Sequence, residues 1–116
     1  MTDEHVAGEL APAVRDAPAL HRYEIRLGTE LAGFTEYLDR GNQRIFFHTE
    51  IGEQYGGRGL ASLLIHDALA ETVRDGKRIV PICPFVAGYL EKHDDFAAEV
   101  DPVTPEALQA VRDSQA

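Results

Sequence analysis

The chain has 116 residues, enough for one domain with a buried core and too few for two. Its 44% hydrophobic and 27% charged residues are ordinary for a globular protein, no apolar run reaches the roughly 20 residues of a membrane span, and no basic-then-apolar leader opens it. The net charge of −9 argues against nucleic-acid binding and the single cysteine excludes an internal disulfide, so we expect a cytoplasmic protein that contacts neither nucleic acid nor membrane.

Residues 1–20 are predicted to be a flexible N-terminal tail, because Ala, Pro, Gly and acidic residues mix there with no sustained period. Residues 21–116 are expected to form the single domain. Its first strand is indicated by Tyr23, Ile25 and Leu27, which alternate with Glu, Arg and Gly residues.

The next two strands are predicted at 31–38 and 44–51, joined by a hairpin turn at 39–42. Residues 59–75 have apolar side chains at helical spacing, and Gly76 is placed to end that helix. The order of these elements is strand, strand, strand, helix.

A strand at 78–83 follows the helix, and a crossover of this length requires the two flanking strands to be parallel. A second helix is predicted at 84–93, and Thr104 is suited to N-cap a last helix at 105–113. The predicted fold class is therefore α/β with a mixed sheet: antiparallel strands, then a parallel βαβ unit, then a C-terminal helix.

A glycine-rich turn from Gln54 to Gly59 leads from a predicted strand into a predicted helix. The unpaired amides and positive dipole end of such a helix bind anions, and glycine lets a phosphate approach the backbone. Arg58 adds a cation that can close over the same oxygens. A pyrophosphate site is expected at Gln54, Tyr55, Gly56, Gly57, Arg58, Gly59, Leu60 and Ala61.

Three kinds of pyrophosphate cradle compete for this turn. An ATP-type P-loop needs Lys and Ser/Thr after its last glycine, and this turn has neither. A dinucleotide fingerprint would need Gly or Ala at Ser62 and a carboxylate at the end of the next strand, which is lacking at 78–83. The third pattern, [QR]-x-x-G-x-[GA], is matched by Gln54, Gly57 and Gly59.

That third pattern belongs to the GCN5-related N-acetyltransferases (GNAT), and the chain resembles a minimal branch of them over about residues 21–100. The similar segments are 47–51, 57–64, 79–86 and Tyr89-Leu90-x-x-His93, although Asp94 stands where that branch often has proline. The resemblance implies a truncated GNAT fold that binds acetyl-CoA and acetylates an amine. The acceptor is either a small molecule or a protein lysine. The ends of the chain carry most of the acidity, which suits a cationic acceptor but equally serves solubility.

The resemblance also implies roles for individual residues near the ends of the parallel strands. The backbone of Thr49, Glu50 and Ile51 would pair with the pantetheine arm and polarise the acetyl carbonyl. Cys83 is a candidate nucleophile and His48 a candidate general base, with direct attack by the amine as the other route. Each also has a structural interpretation, as a buried cysteine and as a histidine satisfied on a strand face.

Two further side chains match with weaker functional indications: Tyr89 as a possible acid toward the CoA thiolate, and His93 as a helix-end residue. The remaining histidines have no metal-ligand spacing, so no metal is expected. The alternatives to an N-acetyltransferase are a CoA-binding module without transfer activity and a structural protein with a vestigial glycine loop.

Overall fold

The computed structural model describes residues 11–56 and 59–116, and these form one five-stranded sheet with three helices. The strands lie in chain order as β1 (Pro12–Ala17), β2 (Arg22–Leu27), β3 (Glu30–Arg40), β4 (Gln43–Ile51) and β5 (Arg78–Pro81). Neighbours from β1 to β4 are antiparallel, whereas β4 and β5 are parallel. The helices are α1 (Leu60–Arg74), α2 (Pro84–Lys92) and α3 (Pro105–Gln115). This arrangement confirms the predicted fold class.

The two faces of the sheet carry different helices. On the first face, α1 buries Leu64, Ile65 and Leu69 in the main core, which also contains Tyr23 and Phe46. On the second face, α3 packs Ala107 and Val111 into a smaller cluster with Ile45, Val80, Leu38 and Ile82. Alternating side chains of one strand therefore enter different cores, as the two-residue period of a strand requires.

The expected tail at 1–20 is wrong for its second part, because β1 pairs with β2 along its whole length. Val14 packs against the main core, and the Tyr37 hydroxyl donates a hydrogen bond to the Asp16 carboxylate at 2.8 Å. Pro12 is tolerated because it begins an edge strand. Residues 1–10 lie outside the part of the chain that the structure describes.

The predicted strand at 78–83 is too long, since β5 ends at Pro81. The amides of Ile82 and Cys83 both donate to the carbonyl oxygen of Phe46, at 3.0 and 2.9 Å, so the chain turns away from the sheet there. The predicted N-cap is confirmed, because the Thr104 hydroxyl accepts a hydrogen bond from the amide of Ala107. No helix in the described ranges has the length and apolar character needed to cross a membrane.

Candidate functional site

A β-bulge in β4 re-aims the side chains near its end. Glu36 lies opposite His48 and Tyr37 lies opposite Phe46, so Phe47 is an extra residue between them. Phe47 and His48 both line cavities on the second face, whereas Phe46 and Thr49 are buried on the first. The bulge therefore turns His48 to the second face and Thr49 to the first, the reverse of what unbroken alternation from Phe46 would give.

The parallel pairing of β4 and β5 stops immediately before this bulge. The last partners are Phe46 and Pro81, after which residues 47–51 keep β3 on one edge and have no β5 residue on the other. We call residues 43–46 the paired half of β4 and residues 47–51 its open half. An unpaired strand edge offers backbone donors and acceptors in a row to any extended ligand.

Cys83 begins α2 as its N-cap residue and is only 2% exposed. Its sulfur lies 3.1 Å from the hydroxyl oxygen of Thr49, which in turn lies 2.9 Å from the hydroxyl oxygen of Thr35. This buried chain joins β3, the open half of β4 and the start of α2. Among the described residues, Thr49 is the only side chain that hydrogen-bonds the thiol.

His48 is exposed on the second face, with 47% of its side chain accessible. Its Nε2 lies 2.7 Å from Oε2 of Glu50, and its ring centroid lies 6.1 Å from that of Phe34. A carboxylate at this distance fixes the orientation of the ring. The two candidate catalytic side chains therefore have separate surroundings: Cys83 contacts Thr49 in the core, and His48 contacts Glu50 at the surface.

The glycine-rich loop is described on both sides of Gly57 and Arg58, which themselves lie outside the described residues. A single 3-10 turn at Glu53–Tyr55 leaves Gln54 exposed and buries Tyr55, whose hydroxyl donates to Glu30. On the other side, Gly59 has φ of 73° as the N-cap of α1. Glycine suits that left-handed conformation, and the first-turn amides of α1 that follow have no acceptor within the helix.

Two adjoining cavities open beside this loop. One of about 300 Å³ lies between the end of β4, the loop and the helix starts, and is lined by Ile51, Gly52, Glu53, Tyr55, Gly56, Gly59, Leu60, Ala61, Ser62 and Phe85. The other, of about 330 Å³, lies between α1 and α2 and shares Ala61, Ser62 and Phe85 with the first. Together they form a continuous groove from the open half of β4 past the first turn of α1.

The two weaker candidates lie in the second of these cavities. Tyr89 is buried and stacks on His93 with ring centroids 4.2 Å apart. Burial, and then the negative charges of Asp95 and Asp67, raise the pKa of Tyr89, so its hydroxyl keeps its proton at neutral pH. The His93 amide donates a hydrogen bond to the Tyr89 carbonyl at the end of α2.

Sequence reasoning missed two residues that shape the open half of β4. Thr35 belongs to the buried chain of hydroxyl groups. The sequence could have indicated this, because its two neighbours on β3 point to the other, less buried face. Gly33 lies so close to β4 that a Cβ there would collide with the carbonyl oxygen of Glu50 and the side chain of Ile51. A glycine inside a strand is a signal of such close approach.

Comparison with known families matches residues 22–100 to the family described as GCN5-related N-acetyl-transferase. The chain belongs to this family. Among solved structures, a GCN5-like protein from Staphylococcus aureus determined by NMR superimposes with a TM-score of 0.60 at 17% identity, covering 84% of this chain and 93% of that one. This likeness confirms the GNAT-like fold. A comparison with curated proteins finds no significant match.

Proposed function

We propose that this GNAT protein transfers the acetyl group of acetyl-CoA to an amine. The observation that carries the proposal is the contact between the open half of β4 and the cavity of about 300 Å³ that reaches the first turn of α1. A strand edge can hold an extended arm, and a helix start can hold an anion. A pantetheine arm joined to a pyrophosphate needs both in this order.

The residues present fit such a ligand. Residues 54–61 would hold the pyrophosphate, and a Cβ at Gly59 would meet no atom of the described, non-neighbouring residues within 4 Å. The backbone of Thr49, Glu50 and Ile51 would hold the pantetheine arm along the unpaired edge. Phe85, about half exposed at the start of α2, provides an apolar wall to the same cavity.

Acetyl-CoA, when bound, supplies an acetyl group activated as a thioester. His48 is the proposed acceptor for the amine proton, because its ring is accessible and Glu50 stabilises the imidazolium that forms. Backbone amides at residues 49–51 are the proposed donors to the developing oxyanion. Pairing with β3 already holds this part of β4 in place, so the amides that point to the open edge need little rearrangement during the reaction.

Between the two possible routes, we favour direct attack by the amine over transfer through Cys83. The burial of the thiol and its contact with Thr49 support this choice, because a nucleophile must be reached by both the donor and the acceptor. In this proposal Cys83 fixes the start of α2 against β4. The Cys83→Ala variant should therefore keep transfer activity. Mass spectrometry should detect no acetylated enzyme in either the wild type or the variant.

The proposal is tested first by calorimetric titration with acetyl-CoA. Ser62→Trp places a large side chain where both cavities meet and should abolish binding, while Arg74→Trp, exposed at the far end of α1, should bind normally. Saturable binding to the wild type and to Arg74→Trp alone is the expected result. No binding to the wild type at millimolar acetyl-CoA would overturn the proposal.

A CoA-binding module without transfer activity is the second candidate. It is favoured by one observation, that His48 and Cys83 lie on different sides of the sheet and so do not act on each other. Acetyl-CoA binding with no acetylated product from a broad amine panel would select this alternative.

A further inference from the structure

The second face carries a large open cavity of about 540 Å³ at the open half of β4. It is lined by Phe34, Glu36, Phe47, His48, Glu50 and Gln115. An adjoining cavity of about 220 Å³ shares Glu36, Phe47 and Gln115 and adds apolar surface from Leu20 and Leu38. None of these residues belongs to the groove between the loop, α1 and α2.

Glu36 is the carboxylate common to both cavities. It is half-buried, and its side chain has no hydrogen-bond or ion-pair partner among the residues that the structure describes. Arg22, which lies opposite Glu36 in the pairing of β2 with β3, donates instead to Glu24 at 2.8 Å, as Arg26 does at 3.1 Å. Burial raises the pKa of Glu24, but the hydrogen bonds from Arg22 and Arg26 outweigh burial and lower it. Glu24 therefore stays ionised and holds both arginines.

The walls beside Glu36 are aromatic and aliphatic. The Phe34 ring contacts the guanidinium of Arg22, 4.5 Å from the ring centroid, and the imidazole of His48, whose centroid lies 6.1 Å away. Phe47, the extra residue of the bulge, lines both cavities. The site thus combines an unpaired carboxylate, an apolar surface and a histidine already oriented by Glu50.

From this geometry we infer that the acceptor is a primary amine with an apolar body and no carboxylate of its own, and that Glu36 selects it. The inference rests on the proposed acetyl transfer. An ammonium group gains from Glu36 and Glu50, whereas an amino acid brings a carboxylate that these two repel. The apolar body lies on Phe34 and Phe47, with room to extend toward Leu20 and Leu38.

The bound ammonium first loses one proton to water. Its nitrogen then bonds to the acetyl carbonyl carbon, the carbon–sulfur bond breaks, and the sulfur departs as CoA thiolate. The second N–H proton passes to His48. The nitrogen would meet the acetyl carbonyl at the unpaired edge of the open half of β4, beyond the last β4–β5 pair of Phe46 and Pro81.

Matched amines test the inference: tyramine against tyrosine, and 1,5-diaminopentane against lysine. We expect kcat/KM at least about tenfold higher for the carboxylate-free member of each pair. Glu36→Gln should reduce that ratio toward one, while Glu91→Gln, exposed at the end of α2, should leave it unchanged. Transfer with equal rates, or with a preference for the amino acids, would overturn the inference and leave the acetyltransferase proposal intact.

Direct binding distinguishes the remaining outcomes. Titration of isotope-labelled protein with tyramine should shift amide resonances around Phe34, Glu36 and His48, and tyrosine should shift them less. Shifts centred elsewhere, or none, refute the amine site even where acetyl-CoA binds. Failure of acetyl-CoA to bind in the calorimetric titration refutes the acetyltransferase proposal instead.

Discussion

The two halves of β4 show how one strand serves both stability and a binding site. The paired half is bonded to β3 and β5, and its Arg44 is 5% exposed. The Arg44 guanidinium binds Asp39 at 2.7 and 2.9 Å and the Tyr23 hydroxyl at 2.6 Å. The open half keeps one neighbouring strand and carries His48, Thr49 and Glu50. Anchoring half of the strand allows the other half to leave an edge free.

The largest expected effect is on catalysis in the open half. His48→Gln should lower kcat by about 10²- to 10⁴-fold, because it removes the proposed proton acceptor. Its stability should stay within about 0.5 kcal/mol, since the side chain is exposed. His66→Gln is a matched control, because His66 is a half-exposed histidine that lies 2.9 Å from the carboxylate of Asp67. Equal kcat for both variants would remove His48 from the mechanism.

In the paired half the expected effect is on stability. Arg44→Met should cost about 3 kcal/mol of unfolding free energy. Tyr23 and Asp39 lose their hydrogen-bond donor, and the cation–π contact with Tyr37 at 4.4 Å is lost. Urea unfolding measures it, with the exposed Arg40→Met as control. A fully stable Arg44→Met protein would show that this half does not anchor the strand.

The close approach of β3 to the open half gives a third test. Gly33→Ala should cost about 1–3 kcal/mol and weaken acetyl-CoA binding, because the added Cβ must displace Glu50 and Ile51. Gly88→Ala in α2 adds a Cβ that meets no atom of the described residues outside its own helix backbone within 4 Å, and it should instead stabilise the protein by about 0.5–1 kcal/mol. Unchanged binding in a destabilised Gly33→Ala protein would separate the strand edge from the ligand.

The hydroxyl chain connects the open half to α2. Thr49→Val should cost about 1–2 kcal/mol, because Thr35 and Cys83 both lose a buried partner. A double-mutant cycle with Cys83→Ala measures the coupling, expected at about 0.5 kcal/mol or more. Additive effects of the two changes would show that the contact at 3.1 Å contributes nothing.

The smallest expected effect is the pH dependence of the ion pair between Asp39 on β3 and Arg44 in the paired half. Partial burial raises the pKa of Asp39, but the hydrogen bonds and charge of Arg44 outweigh burial and bring the pKa below its ordinary value. Ionised Asp39 therefore contributes stability above about pH 4, the pKa of an unfolded aspartate, and loses it as pH falls through the folded pKa. Asp39→Asn should be less stable at pH 7 by about 1 kcal/mol or less, with the difference vanishing in acid.

Much of this organisation was predictable from local patterns. The βαβ unit, the hairpin and the Thr104 cap follow from periodicity, connection length and turn chemistry, and all are observed. β1 was not predicted from the sequence because Pro12, Ala13 and Ala17 obscure the alternation of its side chains. In the structure, Val14 and Asp16 follow that alternation, and Asp16 accepts a hydrogen bond from Tyr37. An edge strand stabilised by tertiary contacts leaves a weak signal of its own.

The candidate site was predictable in position but not in orientation. That the ends of β4 and β5 meet follows from parallel pairing, and the contact of Thr49 with Cys83 confirms it. The bulge at Phe47 depends on how β3 and β4 register, and no local pattern specifies it. That bulge decides that Thr49, rather than His48, is the residue that reaches Cys83.

The segment after α2 returns to the sheet beside β5. Val100 forms an isolated parallel bridge with Ile79, the Asp101 amide donates to the Ile79 carbonyl, and the Asp101 carboxylate receives hydrogen bonds from Gln43 and Arg78. These hydrogen bonds from Gln43 and Arg78 lower the pKa of Asp101, so the carboxylate stays charged. A charged residue tied across β5 obstructs strand addition from another molecule at this edge of the sheet.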